Sequence, residues 1–350
     1  MKSIFLFSVF FLFFCLPCAG SETLSDTEIQ KKVNELYGRI LEADQQQDQE
    51  KLLEYLKKLL HYEKLLSDDS PYKSLAFFYA NQRIGALKYE MRQYAEAIPF
   101  SEKALNSDMD KKHPQAREWL QEHKLDICIA LMKSYHKTGN PEERDRKWTK
   151  AKKLIENQIM SSGEKQYSRR TVDSCYFFYV VESEIYVDQG KNAKALESLL
   201  KMEQLYSTQA EYNISARKDI LFRIAWLYFL RQDWDKSIEY SKRAIQIYAR
   251  MDRFPDYVYV LLIRAYLQKR EYDTALQESA HYLQWCNLHS SKENTLCKAD
   301  IYYCMGKLYL LSGEPEKSEF FLKSASEIVP MQSLEKTLGT YFRINSSQSK

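Results

Sequence analysis

Residues 302–309 read Tyr302-Tyr303-Cys304-Met305-Gly306-Lys307-Leu308-Tyr309, and a break follows at Ser312-Gly313-Glu314-Pro315. Tyr302, Met305, Gly306 and Tyr309 fall at i, i+3, i+4 and i+7, which is one face of an α-helix. Gly313 suits the end of that helix and Pro315 the first turn of the next. The same spacing turns Ser318, Leu322 and Ala325 inward on a second helix, which stops at Pro330. Small residues on both helices let the two backbones approach closely. The stretch predicts a helical hairpin.

Working outward, the pattern recurs. One copy has Leu221, Ile224, Ala225 and Tyr228, then Trp234, Ser237, Ser241 and Ala244; another has Tyr259, Leu262, Ile263 and Tyr266, then Tyr272 and Ala275. Gly85 followed by Tyr94, Ala97, Ala104 and Leu105 makes a further unit. Weaker copies carry Cys128, Leu131, Met132 and Tyr135 before Gly139, and Tyr179, Ser183 and Tyr186 before Gly190. A degenerate pair over 26–66 splits at Gln45–Asp48. The unit at 299–332 resembles a tetratricopeptide repeat, with Tyr302 where that pattern has Trp and Ser318 where it has Ala. Tyr135, Tyr186, Tyr228, Tyr266 and Tyr309 are 51, 42, 38 and 43 residues apart, wider than the family's usual period of about 34. The resemblance implies an all-α solenoid of about six or seven antiparallel helix pairs in a right-handed superhelix over residues 21–343. Residues 331–343 are expected to cap its end, and residues 344–350 to form a disordered tail.

Composition agrees with long helices and short loops. Nine glycines and eight prolines in 350 residues are about half the average share, which excludes turn-rich sandwiches and propellers. A net charge of +3, from 51 basic and 48 acidic residues, is unlike the basic footprint of a nucleic-acid binder. The densest basic run, Arg144 to Lys153, is broken by Asp145 and reads as a solvated helix face.

Lys2, the apolar run Ile4 to Leu16, Pro17 and the small residues to Gly20 read as a secretory signal peptide over 1–20, cleaved before Ser21. Its rival is an uncleaved membrane anchor. Export to an oxidising, periplasmic or extracellular compartment would let cysteines pair. Cys128, Cys175, Cys286, Cys297 and Cys304 remain beyond the leader. Cys286 and Cys297 bracket a short polar loop and either bridge it or pack as separate buried thiols. His281, Cys286, His289 and Cys297 lack the paired spacing of a zinc site, so no metal is expected.

The sequence shows no nucleophile elbow, zincin motif, phosphate-cradling loop or dinucleotide fingerprint. No enzyme activity and no cofactor are expected. By the resemblance, the first helix of each pair lines a concave groove, where Phe177, Phe222, Trp226, Phe229, Tyr257 and Tyr303 would meet a protein or peptide partner. The alternative is that these aromatics fill the seam between neighbouring pairs. Phe222, Trp226 and Phe229 share one helical face beside the core stripe, so either a partner or the next hairpin covers it. Paired Lys and Asn, as used to clamp a peptide carboxylate, are missing at the matching places, including Val260 with Arg264 and Tyr303 with Lys307. The expected function is an exported, non-enzymatic scaffold. The rivals are a regulatory or sensor module held at the membrane by an uncleaved N-terminus, and a carbohydrate-capture protein.

Overall fold

The computed structural model describes residues 24–107, 117–161, 169–208, 214–250, 256–288 and 295–330. The expected leader over 1–20, the capping segment 331–343, the tail 344–350 and His289 lie outside them. The described residues are helical, with no strand among them. The helices are α1 (Leu24–Gln45), α2 (Gln49–Glu63), α3 (Pro71–Glu90), α4 (Tyr94–Leu105), α5 (Arg117–Lys137), α6 (Pro141–Ser161), α7 (Arg169–Asp188), α8 (Asn192–Thr208), α9 (Ile214–Leu230), α10 (Trp234–Arg250), α11 (Asp256–Lys269), α12 (Tyr272–Leu288), α13 (Thr295–Leu311) and α14 (Pro315–Ile328). Each odd-numbered helix packs on the even-numbered one that follows it, giving seven pairs. They fall into two compact units, one ending at Ser161 with three pairs and one beginning at Ser162 with four. The sequence reading had treated 21–343 as a single repeat domain.

All seven pairs turn in the same way. One residue adopts the left-handed conformation: Gln47, Arg92, Gly139, Gly190, Gln232, Arg270 or Gly313. The amide of the residue after it reaches back to a carbonyl five residues earlier, at 2.8–3.0 Å. The acceptors are Ala43, Lys88, Tyr135, Tyr186, Tyr228, Tyr266 and Tyr309. This is a Schellman closure, which satisfies carbonyls that the helix end would otherwise leave open. The five recurring tyrosines therefore mark five of the seven acceptor positions. The next residue begins the second helix, and where it is Asp48, Asn140 or Asp233 its side chain caps the amide three residues on.

Behind the turns the pairs close on small residues. A methyl group on Gly306 would stand 2.6 Å from Leu322 Cγ and 3.2 Å from the Leu322 backbone nitrogen. One on Gly85 would overlap Ser101 Oγ. Ser237, Ser241, Ala275, Ser279, Ser318 and Ala325 are buried on the second helices of the last three pairs.

The common turn puts the pairs in register and shows how they stack within each unit. Counting from the residue after each left-handed position, the fifth and twelfth residues are Leu53 and Leu60 on α2, and Ile98 and Leu105 on α4. They are Ile238 and Ile245 on α10, and Leu276 and Leu283 on α12, all four packed in one core with Tyr259, Ile263, Tyr266, Ile301 and Leu308. On α8 they are Leu196 and Glu203, both buried. On α6 and α14, the last helices described in each unit, they are Asp145 and Lys152, and Glu319 and Ser326, all four exposed. A polar outer face is what a terminal repeat needs.

Candidate functional site

In the second unit α11 packs on both α9 and α13, so first helices of successive pairs lie side by side. The face they share is closed by the chain's own side chains. Every residue of α9 from Ile220 to Leu227 is buried, Arg223 included at 1% exposure. A guanidinium so deep needs compensating charge. Arg223 Nε donates to Asp219 Oδ2 at 2.8 Å and Nη1 to Glu184 Oε1 on α7 at 3.2 Å. The Tyr176 hydroxyl donates to the same Asp219 oxygen at 2.9 Å. Burial works against the charge on Arg223, but Asp219 and Glu184 outweigh it and raise its pKa. Burial also drives the Tyr176 hydroxyl well above its ordinary value, with Asp219 adding to the effect.

Two further ionic clusters tie neighbouring helices. Glu203 on α8, itself buried, accepts Arg217 Nη2 on α9 at 2.9 Å and pairs with Arg243 on α10. Asp300, at 0% exposure on α13, accepts Arg264 Nε on α11 at 3.0 Å. Burial raises the Asp300 pKa against the pull of Arg264. Between the Arg223 and Arg264 clusters the link is aromatic, with the Phe222 and Tyr257 rings 6.5 Å apart. This face is thus a ladder of ionic and aromatic rungs, in which Asp300 Oδ2 is buried without a hydrogen-bond partner.

The six candidate aromatics divide accordingly. Phe222 at 2%, Trp226 at 6% and Tyr303 at 6% are buried within the chain, as seam residues are. Lys307 Nζ sits 4.5 Å from the centre of the Tyr303 ring. Phe229 and Tyr257 are half-buried against the core, and Phe229 also meets Trp234 at 5.0 Å. Phe177 alone is open to solvent, at 41%. The structure adds residues that sequence reading passed over. Leu230, Leu296, Leu310 and Leu311 are exposed on first helices of the same unit. Among the described residues five of the eight large exposed apolar side chains lie on these first helices, and Phe320 is the one on a second helix. Leu230 and Leu311 occupy the same repeat position, two residues past Tyr228 and Tyr309. That equivalence is readable in the sequence once the tyrosines are known to mark the turns.

Among the described residues no group of three or more His, Cys, Asp or Glu side chains could hold a metal ion, and no helix is long and apolar enough to cross a membrane.

No protein-family model and no curated protein matches the sequence. Solved structures do match the fold. The chain is similar to the apo form of RapI at a TM-score of 0.63 and 12% identity, over 99% of this chain and 88% of that one. It is similar to aspartyl phosphate phosphatase F from Bacillus subtilis at 0.54 and 15%, over 94% and 92%. A signal-transduction ATPase with a tetratricopeptide repeat sensor, from Pyrococcus horikoshii, matches at 0.52 and 15%; this chain covers half of it while 92% of this chain is used. The helix pairs are tetratricopeptide-like, and the architecture is an all-α solenoid of repeats.

Proposed function

We propose that the chain is an exported, non-enzymatic repeat scaffold that binds a protein or peptide along the first-helix face of its second unit. The observation that carries this reading is the exposure of Phe177, Leu230, Leu310 and Leu311 on helices whose other described apolar residues, Leu296 aside, are buried or half-buried. Large exposed apolar side chains gathered on one set of elements are the usual footprint of a protein contact. Phe177 is the aromatic anchor a partner reaches directly. Phe222, Trp226 and Tyr303 support the surface from beneath, and Phe229 and Tyr257 lie at its margin. Export rests on the charged start, apolar run and small-residue exit of residues 1–20. A regulatory module anchored by that same run, uncleaved, is the second reading. Capture of the native protein with its partner tests binding: Phe177→Ala combined with Leu310→Ser and Leu311→Ser should lose most of the co-purifying protein while melting as wild type. Unchanged capture would refute the surface. Sequencing the mature N-terminus separates the two readings, since only an exported, cleaved chain begins near Ser21.

A further inference from the structure

The second unit holds two thiols in one buried core on consecutive helices. Cys286 lies near the end of α12 and Cys297 near the start of α13, and both belong to the same buried core with Tyr282, Ile301 and Cys304. The two helices pack on each other and six residues, 289–294, separate them. Cys286 and Cys297 lie equally far along the chain from the middle of that connection, each close to the end of its helix that adjoins it. Cys304 is seven residues further along α13, about 10.5 Å at the helical rise. Tyr282 supplies a common neighbour. Its hydroxyl donates to Asp256 Oδ1 at 3.1 Å, and burial, then Cys297, Asp256 and Cys286, push its pKa far up.

We infer that Cys286 and Cys297 form a disulfide that staples the seventh helix pair to the sixth. The chemistry is thiol–disulfide exchange with a small-molecule disulfide. One thiolate attacks a sulfur of the oxidant, forming a mixed disulfide and expelling one equivalent of its thiol. The second cysteine, as thiolate, then attacks the protein-bound sulfur and expels the other equivalent. The two cysteines lose two electrons and two protons in all, which appear as two molecules of the reduced thiol. Both sulfurs are thiols in this structure and both are buried, so exchange occurs while the chain folds and not on the closed core.

Refolding tests this directly. The full chain, with Cys15→Ser and Cys18→Ser so that five cysteines remain, is unfolded with reductant. It is then refolded in reduced and oxidised glutathione, alkylated and digested without reduction. The expected product is one dominant linked peptide joining Cys286 to Cys297, formed equally in Cys304→Ser and absent in Cys286→Ser and Cys297→Ser. The bridged chain should melt about 5 °C higher than the same chain after reduction. Alkylation of both cysteines in the refolded chain, or a dominant bridge to Cys304, Cys175 or Cys128, would overturn the inference. The readout is made in vitro, so its failure leaves the export reading standing, and a failure of export leaves the in vitro result unchanged, although a cytosol would keep the pair reduced.

Discussion

Four of the seven turns hold Gln47, Arg92, Gln232 or Arg270 in a conformation that costs a residue with a Cβ about 1–2 kcal/mol. At Gly139, Gly190 and Gly313 an added Cβ would meet nothing within 4 Å, so only the backbone resists substitution. Gly190→Ala should therefore lose about 1 kcal/mol, and Gln232→Gly or Arg270→Gly should gain roughly 0.5–1 kcal/mol, read by urea unfolding. The glycine turns were legible in the sequence, and the others were readable only to within a residue, because Gln and Arg carry no turn signal. Trp226 answers a question that periodicity leaves open. From Ile220 to Leu230 its helix is apolar but for Arg223, so spacing alone cannot say which side faces solvent. With the side chain buried, Trp226→Ala should cost about 3–5 kcal/mol of stability, read by thermal melting. The thiols give a pH prediction. Burial pushes Cys128 up to about 11, and Cys175 and Cys304 up to about 12, from 9.0. Between those values the folded chain holds protons that the unfolded chain has lost, so these groups contribute stability below pH 9 that disappears as pH rises toward 12. The urea midpoint should fall from pH 8.5 to 10.5, and fall less steeply in Cys175→Ala.

At the scale of elements, the pairs are held where a small residue on one helix meets the backbone of the other. Gly306 is the tightest such place in the seventh pair, because Leu322 crowds it with both side chain and backbone. Gly306→Ala should cost about 1–3 kcal/mol. Leu322→Ala should recover part of that loss, so the double variant will be less destabilised than the two single changes added together. Chemical denaturation of the four proteins measures the coupling, and strict additivity would place the crossing elsewhere. This contact was legible from Met305-Gly306 and the inward Leu322, since helical spacing and residue size suffice to find it. The ionic ties were not. Arg223 stands in the run Asp219-Ile220-Leu221-Phe222-Arg223-Ile224 with no sign that its partners are Asp219 one turn back and Glu184 on a different pair. Removing one member should strand charge in a dry site, and that kind of coupling between distant residues leaves no local pattern.

For the molecule as a whole, one register explains both the stacking and its ends. Apolar residues recur at the two outward positions of α2, α4, α10 and α12, and give way to Asp145 with Lys152 and to Glu319 with Ser326. The two-unit division was thus written in the sequence, but unreadable until the left-handed residues aligned repeats of unequal length. The proposed interaction surface is the part least determined by folding: Leu230, Leu310, Leu311 and Phe177 are exposed on first helices of the second unit. A photo-crosslinking amino acid placed in native cells at Phe177, Leu230 or Leu310, and separately at the exposed second-helix positions Lys201 and Glu239, tests this claim most directly. A partner protein should crosslink from the first three positions and not from the last two. Crosslinks from Lys201 and Glu239 alone, or none from the first-helix positions in a folded chain, would contradict it.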